Sequence, residues 1–248
     1  MKQKTSSMLD GIKKNKPLAG FYNHTYISLK HKYAYFAVGK AANSTVKHHL
    51  FELEYSNTNF KIRALHDRRC SPLLSPFQFT AEQVEAFLSD SDVFKFTFVR
   101  NPYSRLLSCY LDRIVPKESA PYRQLMNMLG KEPGDDVSFD SFIRAICDQT
   151  PYQMNPHWRV QVNETLYDSI DYDFIGRVET FGQDMAKVWS EVSGGFDAGK
   201  LGELNKSPSV TRSASRLNDF YSPELTALVA DKYAEDFDVF DYDKQLES

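Results

Sequence analysis

The sequence has few cysteines, no long hydrophobic run and no large excess of charge of either sign. Its three cysteines, Cys70, Cys109 and Cys147, form no Cys-x-x-Cys pair, so the spacing indicates neither a disulfide framework nor a zinc site, and we expect no metal. No stretch of consecutive residues approaches the roughly 18 apolar residues that a membrane span requires. Thirty Lys and Arg against 33 Asp and Glu give a net charge of −3. Bulk charge therefore does not indicate nucleic-acid binding.

The N-terminal residues 1–17 are polar and contain no apolar core segment, so we expect a soluble, cytoplasmic protein without signal peptide or transmembrane anchor. A Golgi-lumenal location is the alternative, and it applies if an anchor has been removed from the sequence. With 42% hydrophobic and 14% aromatic residues the chain is typical of a folded protein. We predict a single domain over residues 1–248, with a polar lead-in at 1–30 and a mobile loop at 196–217 that covers a site.

The stretch from Val93 to Arg113 is typical of a strand, a tight turn and a helix. Aromatic and β-branched residues up to Val99 predict a buried strand that ends at Arg100. Asn101 can cap a helix whose first residue is Pro102. An arginine at the carboxyl end of a strand, followed by a helix N-terminus and the hydroxyl of Ser108, suits a phosphate group. The same spacing also fits a strand–helix unit in which Arg100 pairs with a structural carboxylate.

A second strand–turn–helix unit lies earlier in the chain. Residues 33–38 predict a strand, residues 44–53 a helix, and between them lies the cradle segment, residues 39–45 (Gly-Lys-Ala-Ala-Asn-Ser-Thr). It is not a Walker A loop, because Ala34 stands at the first glycine position and Ala41 follows the lysine. The N–H groups, the ammonium of Lys40 and the helix dipole can nevertheless bind a phosphate. The alternative is a loop lysine that faces water.

Two such turns with a cation at each indicate one ligand with two phosphate ends, because parallel sheets gather these turns along one edge. The sequence thus predicts an α/β fold with a central, mostly parallel sheet flanked by helices. Further predicted elements are a short strand at 61–65, a helix capped by Thr80 and Gln83, a strand at 172–176, a helix at 180–192 and a helix that starts at Ser222 and Pro223.

The segments Lys40 to Thr45 and Arg100 to Tyr110 resemble the two cofactor motifs of the carbohydrate sulfotransferases, the group with the chondroitin, dermatan and heparan sulfate 2-O- and 6-O-sulfotransferases. A later stretch that begins at Asn155 is similar to the chondroitin-type members. The resemblance extends from about Tyr33 to Tyr242. It implies a three-layer fold similar to P-loop NTPases, and the donor 3′-phosphoadenosine 5′-phosphosulfate, with adenosine 3′,5′-bisphosphate as product.

The sequence departs from the family pattern at four positions: Asn101 stands for aspartate, Gly39 for proline, Asn43 for a frequent glycine and Val160 for proline. Asn43 tolerates left-handed backbone better than most residues. By the resemblance, one group of residues holds the 5′-phosphosulfate, a second group holds the 3′-phosphate, and a late loop closes over the nucleotide. These are, in order, Lys40, Ala41, Ala42, Asn43, Ser44 and Thr45; Arg100 and Ser108; and Asn205.

Sulfuryl transfer requires in-line positioning, a cation at the leaving group and a base for the incoming hydroxyl. We assign the cation to Lys40 and the base to His66, which lies between the two cofactor motifs, where similarly organised heparan sulfotransferases place a histidine. His157 is the second candidate base. His66 could instead cap its own loop, and His157 could pack against Trp158 or stack on an acceptor.

The predicted function is transfer of a sulfuryl group to a hydroxyl of a carbohydrate or glycan acceptor, without nucleic acid as a partner. An alternative is a catalytically inactive nucleotide- or glycan-binding module of the same fold. A nucleoside or sugar kinase is disfavoured because the Gly-Lys-Ser/Thr sequence is missing. The acceptor and the oligomeric state are not determined by the sequence.

Overall fold

A computed structural model describes residues 8–56, 64–194 and 213–246. The four strands are β1 (Thr25–Ser28), β2 (Tyr33–Phe36), β3 (Phe94–Val99) and β4 (Phe174–Arg177). The α-helices are α1 (Met8–Asn15), α2 (Leu18–His24), α3 (Asn43–Tyr55), α4 (Ala81–Ser89), α5 (Pro102–Cys109), α6 (Ala120–Leu129), α7 (Phe139–Cys147), α8 (Gln161–Thr165), α9 (Phe181–Val192), α10 (Leu217–Phe220), α11 (Pro223–Lys232) and α12 (Ala234–Val239).

Shorter helical segments complete the described elements. A π-helix, Tyr110–Ile114, follows α5 directly, and 3₁₀ helices lie at Arg68–Cys70, Pro76–Gln78, Val178–Thr180 and Ser213–Arg216. The chain divides into two compact units, and each is made of two separate segments of the chain. The first unit comprises Met1–Val99 and Asn163–Pro208, and the second comprises Arg100–Val162 and Ser209–Ser248. The single-domain prediction is not tested by this division.

The first unit contains the whole sheet, in the order β1-β2-β3-β4. β1 pairs antiparallel with β2, whereas β2, β3 and β4 run parallel. Alternate β2 residues face opposite sides, as strand geometry requires: Tyr33 and Tyr35 belong to one core cluster, and Ala34 and Phe36 to the other. The first cluster includes residues of α3 and α9, and the second includes residues of α1, α2 and α4. The predicted mostly parallel sheet flanked by helices is therefore confirmed.

Most predicted boundaries agree with the structure to within two residues. The Thr80–Gln83 capping box, the Asn101 cap and the Ser222 cap are present as predicted.

Helices α1 and α2 and strand β1 were not predicted, and they lie within the predicted lead-in. The predicted strand at 61–65 is wrong at Ala64 and Leu65, which are not in a strand, while residues 61–63 lie outside the described residues. Most of the predicted 196–217 loop also lies outside them, and Ser213–Arg216 is helical.

The second unit is helical and has an aromatic core. The ring of Tyr103 on α5 packs at 5.2 Å from Tyr221 and at 5.0 Å from Phe237, measured between ring centroids. Trp158 is fully buried and packs edge-on against Phe142 of α7. Within this unit Tyr233 donates a hydrogen bond to the carbonyl of Trp158 at 2.6 Å. These contacts fix the start of α5 and the 150–162 segment, which carry the candidate residues of this unit.

Candidate active site

The cradle segment connects β2 to α3 in the first unit. Lys40 has φ 67° and Ala42 has φ 54°, so two residues with a Cβ adopt the left-handed conformation, which such residues adopt rarely and at a cost. Ala41 between them is fully buried. Backbone with alternating hand forms concavities whose N–H groups bind anions. The Asn43 φ is not among the positive values, so the left-handed positions are Lys40 and Ala42.

The first turn of α3 is polar but carries no side-chain cap. The N-cap position is Ala42, which makes no side-chain capping bond, because alanine has no side-chain oxygen to accept from the first N–H groups of the helix. Asn43 Oδ1 is buried and has no hydrogen-bond partner among the described residues. Ser44 and Thr45 follow, and Thr45 is buried. The helix thus begins with a polar, uncapped turn next to Lys40.

Ser44 and His66 are brought together within the first unit. Ser44 Oγ lies 3.1 Å from His66 Nε2, and Lys47 Nζ lies 2.8 Å from His66 Nδ1. The predicted base therefore contacts a predicted cradle residue, and the alternative that His66 only caps its own loop does not account for these two contacts. Lys47 was missed in the sequence analysis. The signal that could have found it is its position three residues after Ser44, on the same face of α3.

Arg100 begins the second unit, and its guanidinium contacts two serines. Nε donates to Ser104 Oγ at 2.9 Å, and one terminal nitrogen donates to Ser213 Oγ at 2.6 Å. A guanidinium and two hydroxyls are a suitable donor set for a phosphate oxygen. Neither serine was predicted. The Asn101 side chain accepts from the N–H groups of Tyr103 and Ser104, so these donors of the α5 N-terminus are already used.

Gln161 fixes the backbone of Arg100 within the second unit. The N–H of Arg100 donates to Gln161 Oε1 at 2.9 Å, and Gln161 Nε2 donates to the carbonyl of Arg100 at 2.8 Å. The fully buried Asp236 accepts from the N–H groups of Gln161 and Val162, each at 2.8 Å. Burial raises the pKa of Asp236 to about 6, against the effect of these N–H donors and of Arg105.

Two polar residues of α5 are buried. Helical spacing predicts that Arg105, Ser108 and Asp112 lie opposite the apolar face of α5, on a side that can face a ligand. Arg105 is instead fully buried and donates to the carbonyls of Arg159 at 2.7 Å and Pro156 at 3.1 Å. Its placement on a ligand-facing side is therefore wrong, because the guanidinium satisfies buried backbone carbonyls of the 156–159 turn. Ser108 is 3% exposed. Its assignment to the 3′-phosphate stays a prediction.

His157 lies in the second unit and has a defined proton position. Asn155 Nδ2 donates to Gln124 Oε1 at 2.7 Å, which directs Asn155 Oδ1 toward the backbone N–H and the Nδ1 of His157, at 3.0 and 2.7 Å. Since an amide oxygen only accepts, His157 Nδ1 is the donor and a neutral ring keeps its lone pair on Nε2. In this form Nε2 can accept a proton, and the assignment of His157 as a base stays a prediction. Trp158 next to it packs in the core.

The remaining candidate, Asn205, lies outside the described residues.

A mostly parallel sheet flanked by helices, with a polar turn between a strand and a helix, is the architecture of a class of α/β proteins, many of which bind anionic groups at such turns. The chain belongs to the sulfotransferase family, whose family model matches residues 23–243. This match confirms the resemblance to sulfotransferases that the two motifs indicated.

Among curated proteins the chain is similar to carbohydrate sulfotransferases. It is 31% identical to carbohydrate sulfotransferase 14 of Danio rerio over 179 residues, which are 68% of this chain and 48% of that protein. Identity to the Homo sapiens protein of the same name is 30%, over 66% of this chain and 45% of that protein. Carbohydrate sulfotransferase 12 of Xenopus laevis is 34% identical over 40% of this chain and 28% of that protein. The chain thus spans about half the length of the curated relatives it resembles most broadly. No solved structure matches significantly.

Within the described ranges, no helix combines the length and the apolar character that crossing a bilayer requires. The cytoplasmic location stays a prediction.

Proposed function

We propose that this protein is a sulfotransferase that transfers a sulfuryl group from 3′-phosphoadenosine 5′-phosphosulfate to a hydroxyl of a carbohydrate. Membership of the sulfotransferase family and the names of the carbohydrate sulfotransferase relatives support this function. The observation that carries it is the strained, uncapped turn at Lys40 and Ala42. We further propose that the first unit belongs to the P-loop-like fold group, because a parallel sheet leads into this turn and its helix.

The residues of the cradle segment fit the 5′-phosphosulfate group. Left-handed backbone at Lys40 and Ala42 and the uncapped start of α3 provide N–H donors for anionic oxygens. Ser44 and Thr45 add hydroxyls, and Lys40 adds a cation. In the second unit we assign the 3′-phosphate to Arg100 and Ser108, and the hydroxyls of Ser104 and Ser213 next to the Arg100 guanidinium suit the same anion. Asn205 is proposed as a further nucleotide contact.

The donor supplies the sulfuryl group when it is bound, and the residues of the chain supply charge and proton transfer. As the acceptor oxygen forms its bond to sulfur, the bond from sulfur to the phosphate oxygen breaks, and the Lys40 ammonium stabilises the charge left on that phosphate. The proton of the acceptor hydroxyl passes to a base. We propose His66 for this step because it contacts Ser44 of the cradle segment, with His157 as the second candidate.

The proposal is tested by binding and by turnover. We expect the purified protein to bind adenosine 3′,5′-bisphosphate in calorimetry and to transfer label from ³⁵S-labelled donor to at least one member of a glycan panel. Lys40→Ala should lower turnover by about 10²–10³-fold, the range for removing one group that stabilises transition-state charge. Lys30→Ala is the matched control, because Lys30 is an exposed lysine of the same unit that contacts Glu54 and Ser56.

Two outcomes would count against the proposal, each in a different way. Failure to bind the bisphosphate at millimolar concentration would refute the assignment of the donor. Binding without any labelled product across the panel would support an inactive binding module. His66→Ala and His157→Ala separate the two candidate bases: the variant that loses turnover while it still binds the bisphosphate identifies the base.

A further inference from the structure

Both ring nitrogens of His66 are occupied by side chains of one helix. Lys47 Nζ lies 2.8 Å from Nδ1, and Ser44 Oγ lies 3.1 Å from Nε2. Ser44 and Lys47 are three residues apart on α3, so one face of this helix contacts both edges of the ring. The proton on His66 is therefore placed by its partners, and the position of Lys47 behind Nδ1 determines what Nε2 can do.

Lys47 is almost completely enclosed. Lys47 is 1% exposed. Its ammonium donates to the carbonyl of Leu65 at 3.0 Å and to the hydroxyl of Tyr26 at 3.5 Å. Arg68 stacks on the Tyr26 ring at 4.1 Å. Burial, together with the charge of Arg68, lowers the pKa of Lys47 to about 8. An amine that titrates in this range is able to exchange a proton with imidazole.

The other titratable groups around Lys47 do not hold its proton. Burial raises the pKa of Tyr26, so this phenol is neutral when Lys47 titrates. Arg68 keeps its positive charge. Asp67 is turned to Arg69, which it contacts at 2.8 Å. Among the residues that the structure describes, no carboxylate forms an ion pair with Lys47, so its strongest proton-exchange partner is His66.

The charge on Lys47 fixes the tautomer of His66. A charged ammonium only donates, so Nδ1 must accept, and the neutral ring then carries its proton on Nε2, toward Ser44. In this form Nε2 has no lone pair for an incoming hydroxyl. A neutral Lys47 amine instead accepts from Nδ1–H, and the lone pair is then on Nε2. The ionisation belongs to the Lys47–His66 pair as a whole. Only the form of the pair that has lost the proton of the Lys47 ammonium has a lone pair on Nε2 and can act as a base there.

We propose that Lys47 is a positioning residue that sets the tautomer of His66 and receives the proton from it during transfer. This rests on the proposed function with His66 as base. The acceptor hydroxyl gives its proton to Nε2 while its oxygen forms the bond to sulfur, and the proton on Nδ1 moves to the Lys47 amine, which becomes an ammonium. The hydroxyl proton is then on Nε2 and the former Nδ1 proton is on Lys47. Before the next turnover the exposed His66 releases the Nε2 proton to solvent, and the Lys47 ammonium returns its proton to Nδ1.

The first test uses the protein alone and does not depend on activity. In ¹⁵N-histidine-labelled protein, we expect the His66 Nδ1 signal to change from an acceptor-type to a protonated-type shift as the pH rises through about 8, the pKa of Lys47. Lys47→Met fills the same space without a titrating group, so this changeover should disappear, whereas Lys30→Ala should retain it. His66→Gln identifies the signal. An unchanged changeover in Lys47→Met would overturn the proposal.

The second test is the pH profile of turnover at saturating donor. We expect the wild-type rate to rise as the pH increases through about 8, and in Lys47→Met the rise should move to lower pH, because Met neither holds nor releases a proton. Lys47→Arg keeps the charge but cannot release it, so its rate should stay at least about tenfold below wild type throughout, as expected when one proton-transfer partner is lost. If the rate of a variant is lower by the same factor at every pH, so that the shape of the pH profile is unchanged, Lys47 has only a structural role.

The two tests separate this proposal from the proposed function. If His66→Ala retains turnover, the assignment of His66 as base fails and the relay fails with it, while the spectrum still decides whether Lys47 sets the tautomer. If no glycan in the panel accepts sulfate, the spectral test is unaffected. Amide spectra of each variant, compared over α3, verify that the helix is intact.

Discussion

Asn101 is a residue whose effect can be separated into a structural and an electrostatic part. In the family that the sequence resembles, this position is usually aspartate. The Asn101 side chain caps α5 by accepting from the N–H groups of Tyr103 and Ser104. Asparagine and aspartate are about equally good N-caps, so the turn after β3 is kept. The difference is one negative charge fewer beside Arg100, which favours an anion at this position.

Asp236 provides a pH-dependent test of the residues that hold Arg100. Its pKa of about 6 lies above the ordinary value of about 3.9. Between these two values the folded protein holds a proton that the unfolded chain has released, so the free energy of unfolding should fall as the pH rises through this window. A shift of about 2 units corresponds to about 3 kcal/mol. Asp236→Asn should lack this fall.

The measurement is chemical denaturation of wild type and Asp236→Asn at several pH values across the window. Asp238→Asn is the control, because Asp238 lies on the same helix α12 and its side chain is 66% exposed. The difference between wild type and Asp236→Asn should change with pH, whereas wild type and Asp238→Asn should remain nearly parallel. A constant offset for Asp236→Asn would contradict the raised pKa.

At the scale of elements, β4 depends on a glycine for its approach to β3. Phe98 pairs with Gly176, and a Cβ built on Gly176 would lie 2.5 Å from Cε1 and 2.8 Å from Cδ1 of the buried Phe98 ring. This ring cannot easily move, because it packs against Phe96 and Phe181. Gly176 is therefore required for close packing between these two strands.

We expect Gly176→Ala to lower the free energy of unfolding by about 1–3 kcal/mol, the usual cost of adding a methyl group to a packed core. Urea denaturation measures this directly. Gly20→Ala is the control, since its Cβ would meet only Lys16 Cδ at 3.9 Å, and alanine is favoured over glycine within a helix such as α2. Equal stability of Gly176→Ala and wild type would contradict the close approach.

The strands and helices of the candidate site were predicted from patterns among residues that are close together in the sequence. Aromatic alternation at Phe94, Phe96 and Phe98 and the Asn101–Pro102 cap were sufficient to place β3 and α5. The cradle segment was recognised from Lys40 and the small residues after it. Gln161 and Asp236 were not recognised, because they act on Arg100 from positions 61 and 136 residues further along the chain, where no local pattern indicates the contact.

At the scale of the whole molecule, the sheet is built from segments that are distant in sequence. β1, β2 and β3 lie before residue 100, whereas β4 follows the first segment of the second unit. A fragment of residues 1–99 keeps three strands but loses β4 and the α9 residues that pack in the Tyr35 core cluster, among them Val188 and Trp189. This fragment would have the exposed edge of β3 and an uncovered hydrophobic face.

We therefore expect the 1–99 fragment to show no cooperative unfolding transition, whereas the full chain does, with circular dichroism against urea as the measurement. Added 163–208 peptide supplies the missing strand and helix and should restore part of the transition. A cooperative transition of the fragment alone would indicate that the first unit does not need its second segment.

The class of fold, the two turns that follow β2 and β3, and the family can be predicted from the sequence, because hydrophobic periodicity, caps and short motifs are properties of neighbouring residues. The division between side chains that serve structure and side chains that can take part in chemistry is visible only in the folded chain. Arg105 is taken up by buried carbonyls, Gln161 fixes Arg100, and Lys47 lies behind His66. Burial and hydrogen-bond partners set the charge and proton position of a side chain, and these partners come from distant parts of the chain.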